Sequence, residues 1–520
     1  MCKPKITVLS EIWPRYILSL IVFIGALIRI QCLLHHLPAL PAIDENIIAG
    51  IVLELNLNDL NPHNFIIPHL FYYLLWGTFC VLKITVLPLL TQWFSWDLES
   101  IIILSGRAWI AVCSIFQIGM VYRIGKKLFT PQVGLIAAAF LSVNPFHVMY
   151  SCEMKADMVM VVLLLIAFYY MCDIFLGESP MRKAYVLSGL WLGLAIAAKY
   201  HAFIGSISLY AAGLLKAKNK FSSSKYFLLS GSIAAGIFFL CNFSLFFDIR
   251  SFLNDVFFQL NAGLQGFPSY LVPLRRGWWN YPGILIDILT FPVFICAIGG
   301  MAAAVWRHSK KDIFMLSFPF AYYFIMGFFM LNRARYMLPL LPWMVLFAGW
   351  FLMDVMCFFK KKFLLNRGVN WILLLACAVF LGNSIFWAGY YVRWMNQKDT
   401  RIMVRQWASR EVPHGARILS DSYGGGMSFV FRREDPYDVQ VIGEEQLRQY
   451  ENLFRNNEFD FIILKERYPQ GYVKGFYDYI DQRFLLIKEF IPRIPTVHRS
   501  FINTQYHPMI KIYASRKNRQ

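Results

Sequence analysis

Acidic residues are scarce in this 520-residue chain: 31 Asp and Glu stand against 50 Lys and Arg, for a formal net charge of +19. Cysteine is thin and scattered, with ten residues, no CxxC pair, none after Cys377, and almost all of them inside apolar stretches. That pattern supports neither a disulfide framework nor a zinc site, and the thiols read as packing residues. Internal repeats are missing, which removes the usual mark of a transporter built from inverted halves. Low complexity is confined to the basic tail at Arg516 to Arg519.

What the chain does have is apolar bulk: 58% hydrophobic residues, 17% aromatic, and a mean hydropathy of +0.49. That is too apolar for a soluble protein of this length, and the apolar residues come in long blocks. Spans need about 20 apolar residues each. Eleven are expected, near 12–34, 101–122, 132–150, 156–176, 184–200, 202–215, 226–247, 283–305, 312–331, 337–358 and 369–391. The expected fold is therefore a polytopic α-helical membrane protein.

The surplus bases sit in short clusters between the apolar blocks, which orients a membrane protein and argues against a nucleic-acid partner. Lys3, Lys5 and Arg15 precede the first span. Arg123/Lys126/Lys127, Arg182/Lys183, Lys216/Lys218/Lys220, Arg307/Lys310/Lys311 and Lys360/Lys361/Lys362 fall at every second loop and read as cytoplasmic. That parity holds only if the apolar stretch Ile66 to Leu90 does not cross. Pro68, Pro88, His69 and Lys83 fit a helix lying along the outer interface. The first span is too long, and too poor in small residues at its end, for a cleaved signal peptide, so it reads as a retained anchor.

Two domains are expected. Residues 1–391 would form the membrane domain, with an outer-face first loop at 35–100 carrying juxtamembrane helices, and 392–520 a small α/β extracytoplasmic domain. In the second, helical spacing runs through Ile402, Val404, Trp407 and Ala408 and breaks at Pro413-His414-Gly415. Strands are expected at Ala416 to Leu419 and Phe459 to Leu464, a turn at Tyr423 to Gly426, and a helix from Gly471 to Gln482.

By the same parity, a mixed set of charges converges on the outer ends of the spans. Asp44-Glu45 follows the first span closely; two adjacent carboxylates there cost desolvation and repel one another, which marks a candidate base. Asn61-Pro62-His63 and Pro68-His69-Leu70 follow, then Glu153, Lys155 and Asp157 before the fourth span, and Lys199-Tyr200-His201 between two short spans. Arg275 and Arg276 precede Trp278-Trp279 in the longest internal outer loop, the first loop aside, and Arg333 and Arg335 lie between the ninth and tenth spans. A base to activate a hydroxyl, and cations to hold a departing phosphate, call for such a mixture. Guanidinium groups suit phosphate because they grip two of its oxygens at once.

Blander readings stand beside these. Asp44-Glu45 as solvated loop acids, Arg29 and Lys199 as snorkelling cations, His63 and His69 as loop hydrogen-bonders, and Arg275, Arg276 and the Trp pair as an interfacial anchor each fit the residue types. The sequon Asn242-Phe243-Ser244 sits at a span end and reads as accidental.

The order of these segments resembles a known family. A first span ending in Ala-Leu-Ile-Arg, then Asp44-Glu45, Asn61-Pro62-His63-Asn64-Phe65 and Pro68-His69-Leu70-Phe71-Tyr72-Tyr73 is similar to the polyprenyl-phosphate-sugar-dependent glycosyltransferases of the C-type fold. That group includes the dolichyl-phosphate-mannose protein mannosyltransferases and the bacterial aminoarabinose lipid A transferases. The likeness continues through Asn144 to Asp157, through Gly189 to Tyr200, and through Arg335-Tyr336-Met337-Leu338-Pro339. It departs at Pro68-His69-Leu70, where members often carry Pro-Pro-Leu or Pro-Ser-Leu.

The resemblance implies inverting, metal-independent and cofactor-free sugar transfer on the outer face, from a polyprenyl-phosphate-linked sugar to a lipid, glycan or protein acceptor. It implies Asp44 as the base or acceptor-orienting acid, Glu45 as its companion and Asp157 as the second outer-face acid. Lys199, with Tyr200 beside it, would lie near the donor phosphate with Arg335 and Arg333. A bacterial inner membrane, with the site facing the periplasm, is the expected location. A transporter or lipid-linked-saccharide flippase is the alternative, since it too places charge at membrane depth; a polysaccharide polymerase is a third reading.

Overall fold

The structure is a computed structural model. It describes residues 9–37, 43–85, 97–216, 220–266, 276–331, 333–363, 368–421, 430–431, 435–442, 451, 453–454, 458–465, 474–491 and 509–516. Two compact units separate in it, one holding most of the chain up to Arg393 and the other the chain from Trp394 onward together with the segments that begin at His35 and at Gly266.

The first unit is built of α1 (Leu9–Ile30), α2 (Ile43–Glu54), α3 (Leu70–Thr85), α4 (Leu98–Leu128), α5 (Pro131–Ser142), α6 (Pro145–Tyr150), α7 (Asp157–Leu176), α8 (Met181–Ala198), α9 (Gly205–Lys216) and α10 (Lys220–Cys241). It continues with α11 (Ile249–Gln265), α12 (Gly277–Leu289), α13 (Phe291–Arg307), α14 (Lys310–Gly327), α15 (Leu341–Phe363) and α16 (Gly368–Met395). Among the described residues, five helical segments are long and apolar enough to cross a bilayer, at Trp13–Ile30, Leu98–Leu128, Asp157–Leu176, Ser224–Cys241 and Ala334–Phe359. On α1 the large side chains of Trp13, Tyr16, Leu20, Phe23 and Leu27 point outward, a contiguous apolar surface that only lipid solvates cheaply.

Each expected span overlaps a helix, and the exceptions have local causes. The stretch 132–150 is two helices, because Asn144 caps α6 by accepting the His147 N–H and Pro145 restarts the helix at its first position. The stretch 283–305 is also two helices, α12 and α13, bent by 119° at Thr290, whose φ of 66° is rare for a β-branched residue. The loop before them holds α11, which the sequence pattern did not announce. Helix α3 spans 16 residues, about 24 Å at 1.5 Å per residue, which is short of the roughly 30 Å of a bilayer core. The rest of its apolar stretch, 86–90, lies outside the described residues.

Helices α8 and α10 pack backbone to backbone through Gly189 and Gly193. A Cβ at Gly189 would lie 2.4 Å from the Ser230 carbonyl oxygen, and one at Gly193 2.6 Å from that of Ala234. Small residues four apart are how membrane helices gain close contact where burial from water offers no drive.

The second unit is a five-stranded sheet in the order β2-β1-β3-β5-β4, from β1 (Arg417–Asp421), β2 (Asp438–Ile442), β3 (Phe461–Lys465), β4 (Phe484–Phe490) and β5 (Ile510–Ser515). Strands β1, β2 and β3 run parallel, while β5 is antiparallel to both β3 and β4. Helix α17 (Thr400–Glu411) packs Val404 and Ala408 on one face with Ile418, Ile463 and Ile512. Helix α18 (Lys474–Arg483) packs Phe476 and Ile480 on the other with Leu419, Ile462 and Tyr513. The turn expected at 423–426 lies outside the described residues.

Candidate active site

Asp44 and Glu45 open α2 side by side, and helical geometry sends them to different surroundings. Glu45 is sealed. The Arg107 guanidinium donates to it twice, Nε to Oε1 at 2.8 Å and Nη2 to Oε2 at 2.6 Å, and the Met154 N–H donates to Oε1 at 2.9 Å. Neither Glu45 nor Arg107 has exposed surface.

Asp44, about 100° round the helix, is 30% exposed. Its Oδ2 accepts from Arg335 Nη1 at 3.0 Å and lies 3.4 Å from Lys155 Nζ. Burial alone would raise its pKa, but Lys155 and Arg335, with Arg333 further off, outweigh burial and hold the carboxyl below the usual range. It is therefore ionised at neutral pH, a weak proton acceptor at rest and a strong hydrogen-bond acceptor.

Lys155 is shared between acids. Its ammonium lies 2.7 Å from Glu153 Oε2, and Glu153 is fully buried. Burial pulls the Lys155 pKa down, but Glu153 and Asp44 more than reverse that, so the ammonium keeps its proton. Asp157, at the start of α7, accepts from Lys199 Nζ at 2.5 Å. Lys199 and Arg335 stand 6.0 and 5.7 Å from the Tyr336 ring centre. Acid and cation thus alternate from Glu153 through Lys155 and Asp44 to Arg335, with Asp157–Lys199 against the same aromatic ring.

Several buried polar atoms at this cluster have no hydrogen-bond partner among the described residues: Arg335 Nε, His201 Nε2 and both Glu153 oxygens. Glu153 is close to Lys155 but not aligned for a directed bond. Among the described residues no group of three or more His, Cys, Asp or Glu is arranged to hold a metal ion.

The remaining candidates separate from this cluster. Tyr200 donates its hydroxyl to the Phe65 carbonyl at 2.8 Å and so ties the first loop down. His69 is buried and spent on structure: Nε2 lies 3.2 Å from the Asn64 carbonyl, which can only accept, so Nε2 carries the proton and Nδ1 accepts from Ser244 Oγ at 2.9 Å. Asn242 is equally structural, because its Oδ1 accepts the His69 backbone N–H. His63 is open to solvent, adopts a left-handed φ of 48°, and sits between Asp59 and Asp248. Arg276 stands exposed, 5.8 Å from the Trp278 ring, and Arg275 lies outside the described residues.

Sequence reasoning singled out Asp44, Asp157, Lys199 and Arg335, which the fold brings together, and gave Lys155 and Glu153 no role. It overlooked Arg107, although a cation in the middle of an apolar 31-residue helix was signal enough. Arg29 does not snorkel: it is fully buried, donating to Ser114, the Gly25 and Ser142 carbonyls and His147 Nδ1.

Residues 86–243 match the family described as dolichyl-phosphate-mannose-protein mannosyltransferase. The whole chain superposes on ArnT from Cupriavidus metallidurans bound to undecaprenyl phosphate, with a TM-score of 0.55 and 11% identity over 95% of this chain and 97% of that one. This is a C-type glycosyltransferase fold. A second likeness is the archaeal oligosaccharyltransferase AglB from Archaeoglobus fulgidus, in complex with an inhibitory peptide and a dolichol-phosphate. There the TM-score is 0.56 at 11% identity, covering 94% of this chain and 76% of that one. No curated protein sequence matches the chain.

Proposed function

We propose that the protein is an integral-membrane glycosyltransferase that moves a sugar from a polyprenyl-phosphate donor to a lipid, glycan or protein hydroxyl. The observation that carries this reading is the Asp44 carboxylate held between Lys155 and Arg335, with Asp157–Lys199 beside it, in a C-type fold. The distribution of basic clusters supports a site on the extracytoplasmic side. Residues 1–391 form the catalytic membrane domain and 392–520 the extracytoplasmic one.

In the reaction, the acceptor hydroxyl oxygen attacks the anomeric carbon and the bond from that carbon to the phosphate oxygen breaks. One displacement inverts the anomeric centre. Asp44 orients the hydroxyl and takes its proton as the new bond forms, and Lys199 and Arg335 stabilise the charge on the departing lipid phosphate. Glu45 acts through position: its bonds to Arg107 and Met154 lock the start of α2 against the turn that carries Glu153 and Lys155.

The test is transfer from radiolabelled polyprenyl-phosphate sugars, by purified wild-type protein and by Asp44→Asn, in membranes supplying lipid, glycan and protein acceptors. Wild-type transfer lost in the variant supports the reading. Absence of transfer from any such donor by folded protein would overturn it and favour the flippase.

A further inference from the structure

The charges of the candidate site balance at rest: Asp44, Glu153 and Asp157 stand against Lys155, Lys199 and Arg335. A lipid phosphate entering such a site meets no surplus of positive charge among these six. It must draw cations away from carboxylates, and one of them is placed to let go. Asp44 is the exposed member of the set at 30%, and a single N–H of Arg335 reaches it. The buried Nε of Arg335 has no partner among the described residues. Glu153, the other acid on Lys155, is fully buried, and among the described residues neither of its oxygens is in a directed hydrogen bond, so it can take more of the ammonium than it holds.

We propose that Asp44 is the resting counter-ion of the phosphate subsite, occupying on Arg335 the position that the anionic lipid phosphate takes when it binds. Displacement frees Arg335 Nη1 from Asp44, and with the unpartnered Nε the guanidinium has two donors to offer phosphate oxygens. Lys155 passes toward Glu153, and the Asp44 carboxylate, now less neutralised, meets the acceptor hydroxyl. Glu153 is thus a positioning residue. Donor and base are coupled, because the carboxylate becomes a competent proton acceptor only once the phosphate has taken its cation. This rests on the glycosyltransferase reading above.

A counter-ion that competes with the ligand makes an unusual demand: removing the candidate base should strengthen donor binding. The experiment is equilibrium binding of undecaprenyl phosphate, with undecaprenol as the uncharged control, to full-length protein in nanodiscs, comparing wild type, Asp44→Asn and Glu153→Gln. Asp44→Asn should bind the phosphate about tenfold more tightly, which is about 1.4 kcal/mol, and undecaprenol unchanged. Glu153→Gln should show a smaller gain of about threefold, since the released ammonium neutralises Asp44 and loosens Arg335. It serves as the test if Asp44→Asn does not fold. Equal or weaker phosphate binding by the folded variants, with wild type binding normally, would overturn the counter-ion role and leave the transferase reading intact. Wild-type protein that prefers the phosphate no more than the alcohol would overturn both.

Discussion

Asp44 and Glu45 are chain neighbours with the same functional group, yet one is closed off and the other is poised. Glu45 meets a single guanidinium in a two-point grip, adds a backbone N–H, and is cut off from solvent. Asp44 meets two cations, each with another claim on it or an unspent donor, and remains 30% exposed. A satisfied buried pair has one low-energy arrangement and holds geometry; a divided one has several of similar energy and can respond to a ligand. Adjacent carboxylates on a helix end can therefore serve two purposes, because successive residues turn about 100° apart and face different partners.

The sharpest way to break the contrast is to remove the partner of the closed carboxylate and the charge of the poised one. Arg107→Leu strands Glu45 as an uncompensated buried charge, which costs about 3–5 kcal/mol and should lower expression and melting temperature severely. Arg107→Leu combined with Glu45→Leu should recover part of that loss, since no buried charge is left, though Met154 then lacks its acceptor. An Arg107→Leu protein as stable as wild type would mean the pair holds nothing. Asp44→Asn should leave melting temperature within a few degrees of wild type while transfer falls by about 10² to 10⁴. Retained transfer would remove Asp44 from the chemistry.

The contrast itself was only half legible in the sequence. The span positions were readable because apolar blocks are a one-dimensional signal, and even the interruption at Asn144-Pro145 is written in its capping residue and proline. That Asp44, Asp157, Lys199 and Arg335 are charges at span ends, and so candidates, was readable; that they lie together came from the fold. Arg107 as the owner of Glu45 was not readable, because that pairing joins residues 62 apart and depends on how α2 lies against α4. Strand β4 was missed because buried and exposed residues do not alternate strictly along Phe484–Phe490, whereas the short alternations of β2 (Val439 and Val441) and β5 (Ile510 and Ile512) were there to be read and were overlooked. The folded roles of His69 and Asn242 likewise need their mutual hydrogen bonds, which a sequence does not print.

Acid should separate poised from closed groups more gently than mutation does. Asp44 has a depressed folded pKa, so its contribution to stability is complete above the unfolded value near 4 and is lost as pH falls below it. Asp44→Asn should accordingly lower the neutral plateau by a few degrees and flatten the acid limb below about pH 4, so that the two melting-temperature profiles converge in acid. An acid limb as steep as wild type would show that other carboxylates carry it.

The smallest effects come from two histidines of the first loop that repeat the closed and open arrangement with opposite sign. Burial holds the His69 ring down to about 4, so it stays neutral in the fold while the unfolded chain protonates near 6.5. Stability should fall as pH drops from about 6.5 toward 4, and His69→Gln should lessen that slope even though it costs stability outright. His63, raised by the Asp59 hydrogen bond, does the reverse: its contribution is present below the unfolded value and lost as pH rises through the folded one. Because His63 is 64% exposed, solvent and salt screen that gain, and His63→Gln should shift the melting temperature by no measurable amount in moderate salt. A clear loss would show that the Asp59, Asn61 and Asp248 cluster braces the first loop and is more than a solvated turn, placing it with the closed groups.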